Sequence, residues 1–337
     1  MFEAIVLICL TTGAQPCREV LLPGYEGETR AACEAALAAD PPQGDPVCQP
    51  ALAPLPVTEI APGVFVHTGQ IADADGQNLG DVANLGFVIG GRSVAVIDSG
   101  AARWIAEALW RAIRAQTDKP VSHVILTHMH PDHVFGASLF EEVGAKVVAH
   151  AALPRALADR QENYLVSLSR LIGPQALIGT TAPRVSTALT QETRIDLGER
   201  ELSLTPWPVA HSPSDLTVYD ATTGTLFAGD LLFHDQTPAL DGSLLGWQAV
   251  MAQLENMPLA RVVPGHGPAS LPWPEGAADQ DRYLARLLVD TRAAIEAGTR
   301  LGEAVESIAE EEAPHWQLFK DYNPRNATVA FTELEWE

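Results

Sequence analysis

The chain has 337 residues, past the roughly 250 at which single hydrophobic cores stop growing, so one large domain with appendages and two domains both stay open. At 47% hydrophobic and 19% charged it is a globular chain, which excludes disorder, collagen and coiled coil as its main architecture. Lys+Arg 21 against Asp+Glu 43 gives a formal net charge of -22, a field that repels phosphate backbones and anionic membranes. Nucleic acid and membrane are therefore excluded as expected partners, and no uncharged apolar run reaches the ~18 residues of a spanning helix.

Phe2–Leu10 is apolar, has no Lys or Arg before it and contains Glu3, so it reads as a strand and not as a signal peptide. A turn at Pro23-Gly24 and a helix over Thr29–Ala39 complete a small N-terminal α/β lobe over residues 1–40. All four cysteines, Cys9, Cys17, Cys33 and Cys48, lie within or just beyond it, and none forms a C-x-x-C pair. Two disulfides are the expectation, with three connectivities open. The alternative is four buried thiols in a cytosolic protein. Disulfides favour an oxidising compartment, so of a cytosolic protein and a mature start whose export signal is missing from the given chain, the second is the expectation.

Seven prolines fall between Pro41 and Pro62, and a stretch so poor in backbone donors reads as an extended linker over 41–62. Residues 63–270 follow as the main domain. Gly63–Thr68 alternates as a strand, and Asn84–Ile89 with Ser93–Ile97 predicts a hairpin turning at Gly90-Gly91. A helix over Ala102–Thr117 spaces Ile105, Leu109 and Ile113 along one face. Then come strand Val121–Leu126, helix Val134–Val143, strand Lys146–Ala149 and helix Ala151–Leu171. Strands return at Arg194–Leu197, Glu201–Trp207, Leu216–Asp220, Thr225–Ala228 and Arg261–Val263, with a helix over Leu245–Asn256. Residues 271–337 form a helical extension, with helices at Asp279–Ala297 and Leu301–Glu312. Strands alternating with helices in both halves predict an α/β fold of two sheets with helices outside, an αβ/βα four-layer sandwich.

Thr127-His128-Met129-His130-Pro131-Asp132-His133 directly follows the strand Val124-Ile125-Leu126. Three imidazoles and a carboxylate in six residues suit zinc and not a core. Side chains two apart at a strand end share a face, so His128 and His130 can chelate one ion while Asp132 and His133 face a second. His211, Asp230 and His266 each follow a strand in the sequence pattern, where an α/β sheet delivers side chains to one edge. His150 and Asp215 are candidates for orienting a ligand imidazole, against the blander readings of a satisfied histidine and a turn cap. His234 and Trp247 are candidate cleft residues, His234 equally suited to an ordinary loop and Trp247 better suited to the core than to a substrate platform.

H-x-H-x-D-H, a later His, an Asp in a Gly-Asp step and a final Gly-His-Gly resemble the metallo-β-lactamase superfamily, over about Pro56 to Pro268. The resemblance implies that His128, His130 and His211 bind a first metal, that Asp132, His133 and His266 bind a second, and that Asp230 bridges them. It also implies that Asp98 supports the metal loop and that Asp132 handles the proton. The implied cofactors are two Zn²⁺, with Fe or Mn left open. Phe227–Phe233, Asp241-Gly242-Ser243-Leu244, Gly246-Trp247, Leu21–Glu26 and Glu333–Glu337 resemble the quinoprotein relay system zinc metallohydrolases. That narrower likeness implies a small-molecule substrate and a periplasmic quinoprotein system as partner. The implied reaction is hydrolysis of an ester, thioester, lactone or lactam. A mononuclear-iron sulfur dioxygenase on the same fold and a non-catalytic accessory protein are the alternatives.

Overall fold

In the computed structural model, residues 1–11 and 16–336 are described. Three strands begin the fold: β1 (Phe2–Cys9), β2 (Cys17–Gly27) and β3 (Val47–Pro50), in the order β2-β1-β3, covered by helix α1 (Arg30–Ala39). The Thr29 hydroxyl caps α1 by accepting from Ala32 N. Cys9–Cys17 and Cys33–Cys48 are disulfides, which selects one of the three connectivities. Pro23-Gly24 does not end a strand. A shift in the β1–β2 register between Phe2 and Ala4 absorbs it, and the strand continues to Gly27. Part of the proline-rich stretch pairs into sheets: β3 joins β1, and β4 (Thr58–Ala61) edges the next sheet.

That sheet adds β5 (Val64–His67), β6 (Leu85–Ile89), β7 (Val94–Ile97), β8 (Val121–Leu126), β9 (Lys146–His150) and β10 (Thr187–Leu189). Its order is β10-β9-β8-β7-β6-β5-β4. A five-stranded sheet runs in sequence order from β11 (Thr193–Asp196) through β12 (Glu201–Pro206), β13 (Leu216–Asp220) and β14 (Thr225–Phe233) to β15 (Arg261–His266).

Period-two alternation sorts the apolar side chains of these strands into layers. Ala95, Ile97, Ile125 and Val148 pack against Leu202, Leu204, Val218, Phe227 and Val263 between the two sheets. Val94, Val96, Val124, Leu126 and Val147 point the other way, into a core shared with α2 (Arg103–Gln116), α4 (Ser138–Glu142), α5 (Leu153–Ala158) and α6 (Gln161–Leu171). A single turn of helix, α3 (Pro131–Val134), separates β8 from α4. Leu226, Ala228 and Val262 pack under α7 (Leu244–Leu254), α8 (Ala278–Glu296) and α10 (Phe319–Leu334), with the short α9 (Leu301–Ala304) alongside. Helix, sheet, sheet, helix is the four-layer sandwich the alternation predicts. Arg200 bridges the two sheets: it bonds Asp220 on β13 and donates to the carbonyls of Pro62 and Ile89.

The N-terminal strands seat on α2 through buried charge. Glu3 pairs with Arg111 at 2.6 Å and Arg18 with Glu107 at 2.7 Å, while Arg103 donates to the Leu21 carbonyl at 3.0 Å. The single helix expected over Val134–Val143 is instead α3 and α4, and the one over Ala151–Leu171 is α5 and α6. Leu301–Glu312 is not one helix either: α9 stops at Ala304, and a 3₁₀ segment takes up Glu310–His315.

Candidate metal centre

Five histidines and two aspartates converge at the edge where β8, β14 and β15 and the loop after β12 meet. His128 and His130 leave β8, His130 precedes the N1 proline of α3, and Asp132 and His133 sit on that turn. Asp230 lies inside β14, which runs on to Phe233, and not at a strand end as the sequence suggested. Gly229 makes this possible: its φ of +55° and the register shifts on either side of it turn the strand so that Asp230 faces the histidines. Gly265 is the matching close approach from β15. A Cβ there would lie 1.9 Å from Asp230 Oδ1.

The donor atoms form two groups. His130 Nδ1 is 3.0 Å from both His128 Nε2 and His211 Nε2, and Asp230 Oδ2 is 3.5 Å from each of the latter. His266 Nε2 is 3.3 Å from Asp132 Oδ2, His133 Nε2 is 3.6 Å from that same oxygen, and Asp230 reaches both rings at 3.5 Å and 3.2 Å. Each group's ligand atoms lie within 4.8 Å of one another. A tetrahedral ion with bonds of 2.0–2.1 Å separates its ligands by about 3.3 Å, the spacing seen here.

The far nitrogen of each ring decides what the near one offers. His211 Nδ1 donates to the Ala239 carbonyl at 2.6 Å and His266 Nδ1 to the Val82 carbonyl at 2.9 Å. His130 Nε2 donates to Asp241 Oδ2 at 3.0 Å and His133 Nδ1 to Asp98 Oδ2 at 2.8 Å. His128 Nδ1 bonds the Thr127 hydroxyl at 3.0 Å, which donates onward to Asp98 at 2.8 Å. In the neutral rings the converging nitrogens are therefore bare lone pairs, mutually repulsive unless a cation sits among them. His133 Nε2 and Asp230 Oδ1 are both buried and face each other at 3.2 Å with no other hydrogen-bond partner, an arrangement that a shared ion would satisfy.

Electrostatics divides the cluster. Burial depresses His128 well below its ordinary value and takes His211 to about 3. Burial opposes charge at His133 and His266 as well, but there the carboxylates win. Asp230, Asp132 and Asp98 hold His133 well above its usual value, and Asp230 and Asp132 hold His266 at about 9. Against its own burial, Asp132 is drawn down to about 2 by His133 and His266.

Asp98 is buried at the end of β7, beside the loop that carries His128 and His133. It accepts from Thr127 N, the Thr127 hydroxyl and His133, each at 2.8 Å, so one carboxylate orients rings of both groups. It does so at a φ of +59°, a left-handed conformation that few non-glycine residues adopt. Asp215 touches no imidazole. It accepts from the backbone and hydroxyl of Ser212, bracing the loop just after His211, and burial pushes it up to about 7. His150 also stands apart, accepting from Ala152 N at its own strand end.

The cluster opens into a cleft of about 660 Å³ lined by residues of α6, α10 and the loops before β6 and after β14. His130 and Asp132 are the ligand candidates with exposed side-chain surface, 16% and 19%. Neither sequence-suggested cleft residue lines it. Trp247 is fully buried, 5.3 Å from the His211 ring, with its indole N–H on the Leu231 carbonyl, so it supports the ligand from behind. His234 packs behind His266, whose carbonyl accepts its backbone N–H. The sequence reading missed Asp241, held by Arg160 as well as His130, and Asn84, which donates to the Pro264 and Gly267 carbonyls and fixes the loop carrying His266.

The family model described as Metallo-beta-lactamase superfamily matches residues 79–266. The chain belongs to the metallo-beta-lactamase superfamily. Among superfamily relatives, the chain is 29% identical over 214 residues to acyl-coenzyme A thioesterase MBLAC2 of Gallus gallus, an alignment spanning 56% of this chain and 73% of the other. The metallo-beta-lactamase from Pontibacter korlensis superposes with a TM-score of 0.56 at 21% identity, over 68% of this chain and 99% of that one. The sec-alkylsulfatase Pisa1 from Pseudomonas sp. gives 0.62 at 18% identity, over 82% of this chain and half of its own. These two likenesses establish the shared superfamily fold.

Proposed function

We propose that this chain, a metal-dependent hydrolase of the superfamily, is a dinuclear zinc enzyme that cleaves a carbonyl-type bond: an ester, thioester, lactone or lactam. The observation that carries the reading is the buried pair His133 Nε2 and Asp230 Oδ1, which have no hydrogen-bond partner but each other at 3.2 Å, between two sets of converging donor atoms. His128, His130 and His211 would hold one ion, Asp132, His133 and His266 the other, and Asp230 both. Zinc there would supply a Lewis acid and lower the pKa of a bound water towards 7. Borderline imidazole and carboxylate donors in tetrahedral spacing suit zinc. The complete second set, Asp132, His133 and His266, favours this over a mononuclear iron site.

The protein's own groups do the rest. Asp98, Asp241 and the carbonyls of Val82 and Ala239 hold the ligand rings in one tautomer. Asp132, at the mouth of the cleft, is placed to accept a proton and return it to the leaving group. The thioesterase relative supports a thioester among the substrates. The two disulfides support an oxidising compartment, the periplasm in a bacterial setting. The motif resemblance extends that reading to a quinoprotein relay.

The test is a panel of chromogenic ester, thioester, lactone and cephalosporin substrates on zinc-loaded protein, with Asp132→Ala beside it. Turnover of at least one class, lowered roughly a hundredfold or more in the variant, supports the reading. Turnover that survives the variant intact overturns it.

A further inference from the structure

We propose that the cleft takes an acyl substrate carrying a second, oxyanionic group, and that Arg325 on α10 recognises that group. This rests on the hydrolase reading above and names the substrate class for the same site.

Two guanidinium groups line the cleft, Arg160 and Arg325. Arg160 is committed: it pairs with Asp241 and bonds the Tyr164 hydroxyl. Arg325 is not. Among the described residues no carboxylate lies within ion-pairing distance of it, and its guanidinium sits 5.8 Å from the centroid of the Tyr322 ring. Tyr322 is itself pinned, its hydroxyl donating to Asp73 at 2.9 Å across the cleft mouth. The ring is thus a fixed platform that keeps an uncommitted cation at the cleft. In a chain of net charge -22, most arginines of the fold are tied to acids, which makes the free one at the cleft informative.

A second feature shows that the cleft is built for a polar ligand. Gln236 is 3% exposed, lines the same cleft, and has a side-chain oxygen with no hydrogen-bond partner. A buried amide oxygen left open costs free energy unless a ligand N–H or O–H donates to it. The walls between these polar points are apolar: Leu168, Leu171, Phe233 and Val329. Apolar walls and an open acceptor describe an amphiphilic substrate with a hydrogen-bond donor, and the uncommitted guanidinium of Arg325 adds an anionic end. A planar guanidinium matches carboxylate, phosphate or sulfate alike.

The experiment compares zinc-loaded protein and Arg325→Ala on matched nitrophenyl esters whose acyl chains end in methyl, carboxylate or phosphate. The wild type is expected to favour a charged ester, and the charged-to-neutral ratio of kcat/KM to fall roughly ten- to a hundredfold in the variant. Arg325→Lys recovers part of the ratio, which a merely structural role would not do. The better of the two charged chains identifies the oxyanion. A ratio equal in wild type and Arg325→Ala overturns the proposal. If none of these esters is hydrolysed, the hydrolase reading is decided by the wider substrate panel above, and the present proposal by binding. Isothermal titration with glutarate and with phenyl phosphate then decides: weaker binding to Arg325→Glu than to wild type supports the proposal, and equal binding overturns it.

Discussion

Replacing Asp98 by Asn separates metal binding from folding. Asp98 is 2% exposed and accepts three hydrogen bonds, from Thr127 N, the Thr127 hydroxyl and His133 Nδ1. Ala would orphan all three donors at about 1–3 kcal/mol each, a large share of a domain's total stability. Asn keeps one oxygen for Thr127 N. Its amide nitrogen then faces the Thr127 hydroxyl, which can rotate and accept, and His133 Nδ1, which must lose its proton to accept. The proton moves to His133 Nε2, the atom aimed into the second group, and that ligand is lost. Outer-partner changes of this kind weaken metal binding about 10–100-fold, or about 1.4–2.7 kcal/mol. The fold should lose only about 1–3 kcal/mol. Zinc titration against a chromophoric chelator, beside urea denaturation, reads both quantities. Asp98→Asn should keep one tight ion and release the other. Two ions held at wild-type affinity would refute the tautomer argument.

Gly265→Ala should abolish metal binding, because its Cβ would meet Asp230 Oδ1 at 1.9 Å and the Gly229 backbone at 2.8 Å; bound metal in the purified variant reads this. Away from the site, burial and the Glu255 carboxyl beside it push Asp281 up to about 7. A carboxyl raised on folding stabilises while protonated, fully below its unfolded pKa of about 4, and that contribution fades as pH rises through about 7. Asp281→Asn should therefore show a flatter Tm between about pH 5 and pH 8 than the wild type, measured by differential scanning calorimetry. An identical slope would contradict the assignment.

The six-residue histidine cluster was legible because its residues are contiguous and follow an apolar strand. His211, Asp230 and His266 were legible only by their position after strands, and Asp230 proves to lie within one. The groups that fix the rings were mostly invisible. The carbonyls of Val82 and Ala239 are backbone atoms that any residue would supply, and Asp241 and Arg160 come from segments far apart in the chain. Trp247 read better as core than as a substrate platform, and its full burial agrees with the core reading. β2 was obscured by Pro23-Gly24, which a register shift absorbs. Helix α10, which contains Pro324, was not among the helices expected in the C-terminal extension, so its contribution to the cleft was not foreseen. Of the C-terminal motif, Glu337 lies outside the described residues.

The central claim is that distant strands meet to hold two zinc ions. Inductively coupled plasma mass spectrometry on protein purified without chelator measures it directly. The account predicts two equivalents of zinc per chain, hydrolysis lost on chelation and restored by zinc, and both ions lost in Asp230→Ala. Protein free of transition metal whose hydrolytic activity is indifferent to chelators would contradict it.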